Sequence, residues 1–81
     1  MDIKILGPGC SNCVKLEKAT RQVVEEMGIV ATIEKVEDYD AIASFGVMST
    51  PALVIDGAVV IYGRVPTPRH IRELIESASR I

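Results

Sequence analysis

The chain has 81 residues, a formal net charge of −2 and a hydrophobic content of 48%, which together predict one globular domain over residues 1–81. The acidic balance argues against a nucleic-acid partner, which would favour a basic patch. No apolar run reaches the 18 or more residues of a membrane-spanning helix, so no membrane partner is expected.

The first predicted elements are a strand, a pair of cysteines and a helix. The largely apolar run Asp2–Leu6 is typical of a strand that is buried on both faces. Gly7-Pro8-Gly9 ends it, and its glycines allow unusual backbone angles close to the cysteines. Apolar residues then recur at three- and four-residue spacing over Ser11–Met27, which predicts a helix. Cys10 and Cys13 therefore lie where the strand gives way to the helix.

The start of a helix favours the thiolate form of a nearby cysteine, which is the reactive form. An ordinary thiol has a pKa of about 8.5, so half-ionisation at pH 7 requires roughly 2 kcal/mol. The helix dipole typically supplies about 0.3–1 kcal/mol, so hydrogen bonds to the sulfur must supply the remainder. Cys10, at the helix start, is the expected attacking thiolate. Cys13, one turn further on the same face, is the expected resolving thiol.

The rest of the chain predicts three more strands and two more helices. In chain order they are a strand at residues 29–36, a short helix begun by Asp38 or Asp40 and ending near Phe45, strands at Ala52–Ile55 and Ala58–Tyr62, and a helix at Pro68–Ser79. Asp56-Gly57 indicates a tight hairpin between the last two strands. The order βαβαββα predicts an α/β fold in which the two βα units give parallel pairs and the hairpin adds an antiparallel edge.

Three stretches, residues 7–13, 50–57 and 63–65, resemble the thioredoxin superfamily. A Cys-x-x-Cys beside a βαβ pattern is itself typical of that superfamily. The chain is most similar to the glutaredoxin-sized thioredoxins called small redox-active disulfide protein 2. The resemblance covers essentially all residues and implies a thioredoxin-like fold, with a four-stranded mixed sheet flanked by three helices. It also implies a cis peptide bond between Thr50 and Pro51, with Pro51 facing the two cysteines.

The resemblance implies a thiol–disulfide oxidoreductase. The Cys10 thiolate would attack a protein disulfide and form a mixed disulfide, and Cys13 would then attack Cys10 and release the reduced product. The implied partners are protein disulfides and a reductase that regenerates the dithiol, and no cofactor is needed. The candidate substrate-binding residues are Gly9, Met48, Thr50 and Pro51. Met48 precedes the Pro51 loop and suits an adaptable contact surface, and a place in the core is its alternative.

The chain also departs from its superfamily at three places. Gly9 replaces the aromatic residue that thioredoxins place before the first cysteine. The buried carboxylate that they carry on the preceding strand is missing, since this strand offers only Lys4. Gly63-Arg64 stands where glutaredoxins have the Gly-Gly and acidic residue that hold glutathione. This argues against glutathione as a partner.

A soft-metal binding module is the alternative function for the same two cysteines, with copper or zinc as the metal. Zinc usually takes four ligands, and His70 is the one other strong candidate, so an intrachain zinc site is not expected. Small copper chaperones also carry Cys-x-x-Cys after a first strand, but they end in a strand, whereas this chain ends in a predicted helix.

Two cysteines are too few for a disulfide scaffold, and the N-terminus does not resemble a secretory signal. A cytoplasmic protein is therefore expected. A monomer is the expected oligomeric state.

Overall fold

A computed structural model describes residues 1–79. Within them the predicted order βαβαββα is confirmed, with elements β1 (Asp2–Leu6), α1 (Ser11–Met27), β2 (Thr32–Val36), α2 (Tyr39–Ser44), β3 (Ala52–Ile55), β4 (Ala58–Tyr62) and α3 (Pro68–Ser79). The predicted domain boundary at residue 81 lies outside this range. Among the helices of residues 1–79, none has the length and apolar character needed to cross a membrane.

The four strands form one mixed sheet in the order β2-β1-β3-β4. β1 pairs in parallel with β2 and antiparallel with β3, and β4 pairs antiparallel with β3. The prediction that both βα units give parallel pairs is therefore wrong for β3. β2 and β3 run in opposite directions, so the connection over residues 37–51 starts and ends at the same end of the sheet. The six residues of α2, about 9 Å of helix, suffice for such a connection.

The second strand is shorter than its sequence pattern predicts, because it begins at Thr32 rather than at Ile29. α1 ends at Gly28, whose left-handed backbone (φ 65°) is typical of a helix C-cap. The three residues that follow carry the chain from α1 to the sheet. Strand pairing therefore starts only where Thr32 lies opposite Asp2.

Two apolar clusters lie on opposite faces of the sheet. One joins α1 and α3 to the sheet and contains Ile3, Ile5, Leu16, Val23, Val24, Leu53, Ile55, Ile61, Ile71 and Ile75. The smaller one joins α2 to the other face and contains Leu6, Ile42, Ala52 and Val54. Since side chains alternate between the two faces along a strand, β1 and β3 contribute to both clusters. This explains why both strands are apolar almost throughout.

A threonine cap begins α3, as the sequence predicts. Thr67 Oγ1 accepts a hydrogen bond of 3.1 Å from the backbone N–H of His70. We expect Thr67→Ala to lower the free energy of unfolding by about 1 kcal/mol, because this N–H loses its partner. Urea unfolding followed by circular dichroism measures the change. Thr67→Ser keeps the hydroxyl and is the control, and an equal loss in both variants would contradict the role of the cap.

Candidate active site

Several chain segments meet at one end of the sheet because of the strand directions. β1, β2 and β4 end there, and β3 begins there. The backbone N–H of Gly7 donates a hydrogen bond of 2.9 Å to the carbonyl of Val36, which connects the loop after β1 to the end of β2. The N–H of Gly63 donates a 2.9 Å bond to the carbonyl of Pro51, which connects the end of β4 to the start of β3. The loop between β1 and α1, residues 7–10, therefore lies among these segments; we call it the cysteine loop.

A disulfide bond joins Cys10 and Cys13 across the first turn of α1. Cys10 is the N-cap of the helix, and its Sγ accepts a hydrogen bond of 3.3 Å from the backbone N–H of Cys13. Its carbonyl accepts a 3.0 Å bond from the N–H of Val14, so the helix starts directly at the disulfide. The expected hydrogen bond from a backbone N–H to the Cys10 sulfur is therefore present.

The two cysteines differ in their access to solvent. Cys10 is exposed, whereas only 4% of the Cys13 surface is accessible. Cys10 is therefore the more exposed of the pair. A disulfide from another molecule can approach the sulfur of Cys10, but it cannot approach that of Cys13 without displacing the residues around it.

Gly7 lies against the buried sulfur. A Cβ atom built on Gly7 would overlap Cys13 Sγ and would lie 3.9 Å from the Cβ of Thr50. Gly7 is not among the residues with positive φ, whereas Gly9 has a φ of 90°. The expectation that both glycines serve unusual backbone angles is therefore wrong for Gly7. Its missing side chain instead makes room for Cys13.

The segment before β3 contains three of the four candidate substrate-binding residues. The peptide bond between Thr50 and Pro51 is cis. Pro51 is buried, and Thr50 is half-buried with its side chain near Gly7 and thus near the Cys13 sulfur. Met48 is 98% exposed, which excludes the core position that was its alternative. Gly9, the fourth candidate, is exposed and directly precedes Cys10.

Lys4 lies on the central strand β1, where the superfamily pattern has a buried carboxylate. Its Nζ lies 2.8 Å from Asp2 Oδ2 and 3.7 Å from Glu34 Oε2. The hydrogen bond to Asp2 raises the pKa of the Lys4 ammonium above its ordinary value, and the nearby charges of Asp2 and Glu34 act in the same direction. Lys4 therefore stays protonated at neutral pH and cannot accept a proton from Cys13.

Glu37 is a neighbour of the cysteine loop that the sequence analysis did not identify. Its Oε2 lies 3.2 Å from the position of a Cβ atom built on Gly9. The contact depends on the pairing of β1 with β2, in which Leu6 lies opposite Val36. A partial signal was available in the sequence, since the residue that follows a strand parallel to β1 must lie at the same end of the sheet.

The structure does not bring His70 to the cysteines. His70 lies in the first turn of α3, where Pro68 and Arg69 line a surface groove together with Val23 of α1. Val23 is about 15 Å further along α1 than Cys13. Within residues 1–79, no three or more His, Cys, Asp or Glu side chains are grouped so that they could hold a metal ion.

A disulfide at the start of the first helix of this mixed sheet defines a class of protein, the thiol–disulfide oxidoreductases, in which two cysteines alternate between dithiol and disulfide. A family model described as a thioredoxin domain matches residues 1–76. The chain belongs to this thioredoxin family.

Three archaeal proteins are similar to the chain over most of its length. The thioredoxin of Methanothermobacter thermautotrophicus is 41% identical over 75 residues, which are 93% of this chain and 97% of that protein. The thioredoxin of Methanocaldococcus jannaschii is 37% identical over 75 residues, 93% of this chain and 86% of that protein. A probable thioredoxin of Archaeoglobus fulgidus is 35% identical over 71 residues, 84% of this chain and 77% of that protein.

Proposed function

We propose that the protein exchanges its cysteine pair with disulfides of other proteins through a mixed disulfide. In the reducing direction, the Cys10 thiolate attacks one substrate sulfur, and the other substrate sulfur leaves as a thiolate that takes up a proton. Cys13 loses its proton to solvent and attacks Cys10 Sγ, so the Cys10–Cys13 disulfide forms and the second substrate sulfur leaves as a thiolate, which also takes up a proton. Two electrons pass to the substrate, and the protein dithiol becomes a disulfide.

The observation that carries this proposal is the unequal exposure of the two cysteines at the start of α1. The Sγ of the exposed Cys10 accepts a hydrogen bond from the Cys13 N–H. Such a bond is stronger when the sulfur is ionised, and the helix N-terminus favours the same charge. Both effects stabilise Cys10 as a nucleophile and as a leaving group. The buried Cys13 is within reach of Cys10 alone, which suits a resolving thiol.

Reaction of the pre-reduced protein with a peptide that contains one disulfide tests this function. Free thiols on the protein and on the peptide are alkylated at successive times and counted by mass spectrometry. Exchange requires that the peptide gains as many thiols as the protein loses. A peptide disulfide that stays intact beside a reduced protein would overturn the proposal.

We further propose that the substrate chain lies in an extended form across Gly9, Thr50 and Pro51. Proline has no N–H, so Pro51 places no donor of its own beside the sulfurs. The Thr50 backbone can then pair with a substrate strand, as in other cases of strand addition. Met48, exposed in the same loop, would cover an apolar part of the substrate.

Met48→Ser should slow the reduction of a protein disulfide by about five-fold, because the complex would lose roughly 1 kcal/mol of apolar burial. Stability should not change, since the side chain is 98% exposed. Second-order rate constants from single-turnover mixing measure the effect. Val30→Ser is the matched control, because Val30 is 93% exposed and precedes β2 at the opposite end of the sheet. Equal rates for the two variants would argue against a substrate contact at Met48.

The catalytic cycle also depends on a source of electrons and on the compartment. The two cysteines carry both electrons, so the cycle requires no cofactor but does require a reductase that restores the dithiol. A cytoplasmic monomer, with residues 1–81 as one domain, is consistent with this cycle because cytoplasmic thiols are kept reduced.

Binding of a soft metal by the two cysteines is the alternative function. A copper titration of the reduced protein, compared with a dithiol redox titration, separates the two functions.

A further inference from the structure

The carboxylate of Glu37 lies beside Gly9, the residue that precedes the proposed nucleophile. β2 is paired with β1 up to Val36, and the carbonyl of Val36 accepts the hydrogen bond from Gly7. These contacts place the backbone of Glu37 next to the cysteine loop. Its Oε2 lies 3.2 Å from the position of a Cβ on Gly9, so a side chain at residue 9 would displace the carboxylate by a few tenths of an ångström.

Glu37 is exposed, and within residues 1–79 it has no hydrogen-bond or ion-pair partner. Two other carboxylates, those of Asp38 and Glu17, have partners of their own. Asp38 caps α2 through a 3.1 Å bond from the Ala41 N–H, and Glu17 of α1 lies 3.6 Å from Lys35 Nζ. The charge of Glu37 is therefore available to a bound molecule.

We propose that Glu37 selects substrates by charge and favours disulfides that are flanked by Lys or Arg over those flanked by Asp or Glu. This inference rests on the proposed function, in which Cys10 is the sulfur that attacks. A substrate residue next to the attacked cysteine must pass close to Gly9, and therefore close to the Glu37 carboxylate. An exposed pair of unit charges at a protein surface changes a rate constant by about three-fold in either direction. Salt screens such an effect.

The test uses two synthetic peptides that each contain one intramolecular disulfide and differ only in whether Lys or Glu precedes the first cysteine. The pre-reduced protein is mixed with each peptide, and the ratio of the two second-order rate constants is determined. Glu37→Gln should lower the ratio of the Lys peptide to the Glu peptide by roughly ten-fold, and Glu37→Lys should lower it further. In the wild-type protein the ratio should fall toward one in 1 M salt, where the screening length is about 3 Å.

Glu25→Gln is the matched control, because Glu25 is an exposed carboxylate about 18 Å further along α1 than Cys13. It should leave the ratio unchanged. A ratio that is the same in the wild-type protein, Glu37→Gln and Glu37→Lys overturns charge selection while disulfide reduction itself stands. Failure of the wild-type protein to reduce either peptide overturns the proposed function and this inference with it. Circular dichroism of the variants verifies that each one is folded.

Discussion

Cys10→Ser should abolish disulfide reduction, whereas Cys13→Ser should accumulate a mixed disulfide with the substrate. Without the Cys10 thiolate, the one remaining thiol is that of Cys13, which is 4% exposed. A loss of at least about three orders of magnitude is expected, since removal of a nucleophile that acts as part of a unit costs this much or more. Without Cys13, the first exchange still proceeds but the complex cannot resolve. Mass spectrometry under non-reducing conditions measures both outcomes.

The Cys10→Ser variant should fold normally and so report on the chemistry. Serine is a favoured N-cap residue, so Cys10→Ser preserves the start of α1 and its lost activity reports on the chemistry. The double variant, with serine at both positions, measures the background reaction. Alkylation of the reduced wild-type protein across a range of pH then assigns the more acidic thiol. Modification of Cys13 before Cys10 would show that the assignment of roles is wrong.

Gly7→Ala should shift the equilibrium of the cysteine pair toward the dithiol by about five-fold or more. The new Cβ would overlap Cys13 Sγ, which the disulfide holds in place. Overpacking of this kind costs about 1–3 kcal/mol, which corresponds to roughly five- to more than one hundred-fold in an equilibrium constant. In the dithiol form, the Cys13 side chain can rotate and relieve part of the overlap. Equilibration with a dithiothreitol redox buffer measures the shift.

Gly46→Ala is the control for a general loss of stability. Gly46 has a φ of 79°, so a side chain there is strained, but no atom lies within 4 Å of the new Cβ. This variant should lower the free energy of unfolding without changing the thiol–disulfide equilibrium. An equal shift of the equilibrium in both variants would show that Gly7 has no specific relation to Cys13.

Local patterns in the sequence predicted the elements well, because each pattern reflects interactions between residues that are close along the chain. Asp56 and Gly57 form the predicted tight turn, and both have left-handed backbones, with φ of 49° and 84°. The hydroxyl of Thr67 caps α3, and the left-handed Gly28 ends α1. The position of the cysteine pair between β1 and α1 follows from the same kind of pattern. The start of β2 does not follow from a local pattern, since it depends on where pairing with β1 begins.

The sequence by itself determined the order of the elements, the class of chemistry and the position of the two cysteines that we propose perform it. Only the tertiary structure decided that β3 runs antiparallel to β1, and hence that Thr50 comes to lie beside Gly7 and the Cys13 sulfur. The approach of the Glu37 carboxylate to Gly9 also depends on the tertiary structure. These contacts join residues far apart in the chain. Their geometry depends on strand direction and register, which are selected by the packing of two apolar faces together rather than by any local pattern.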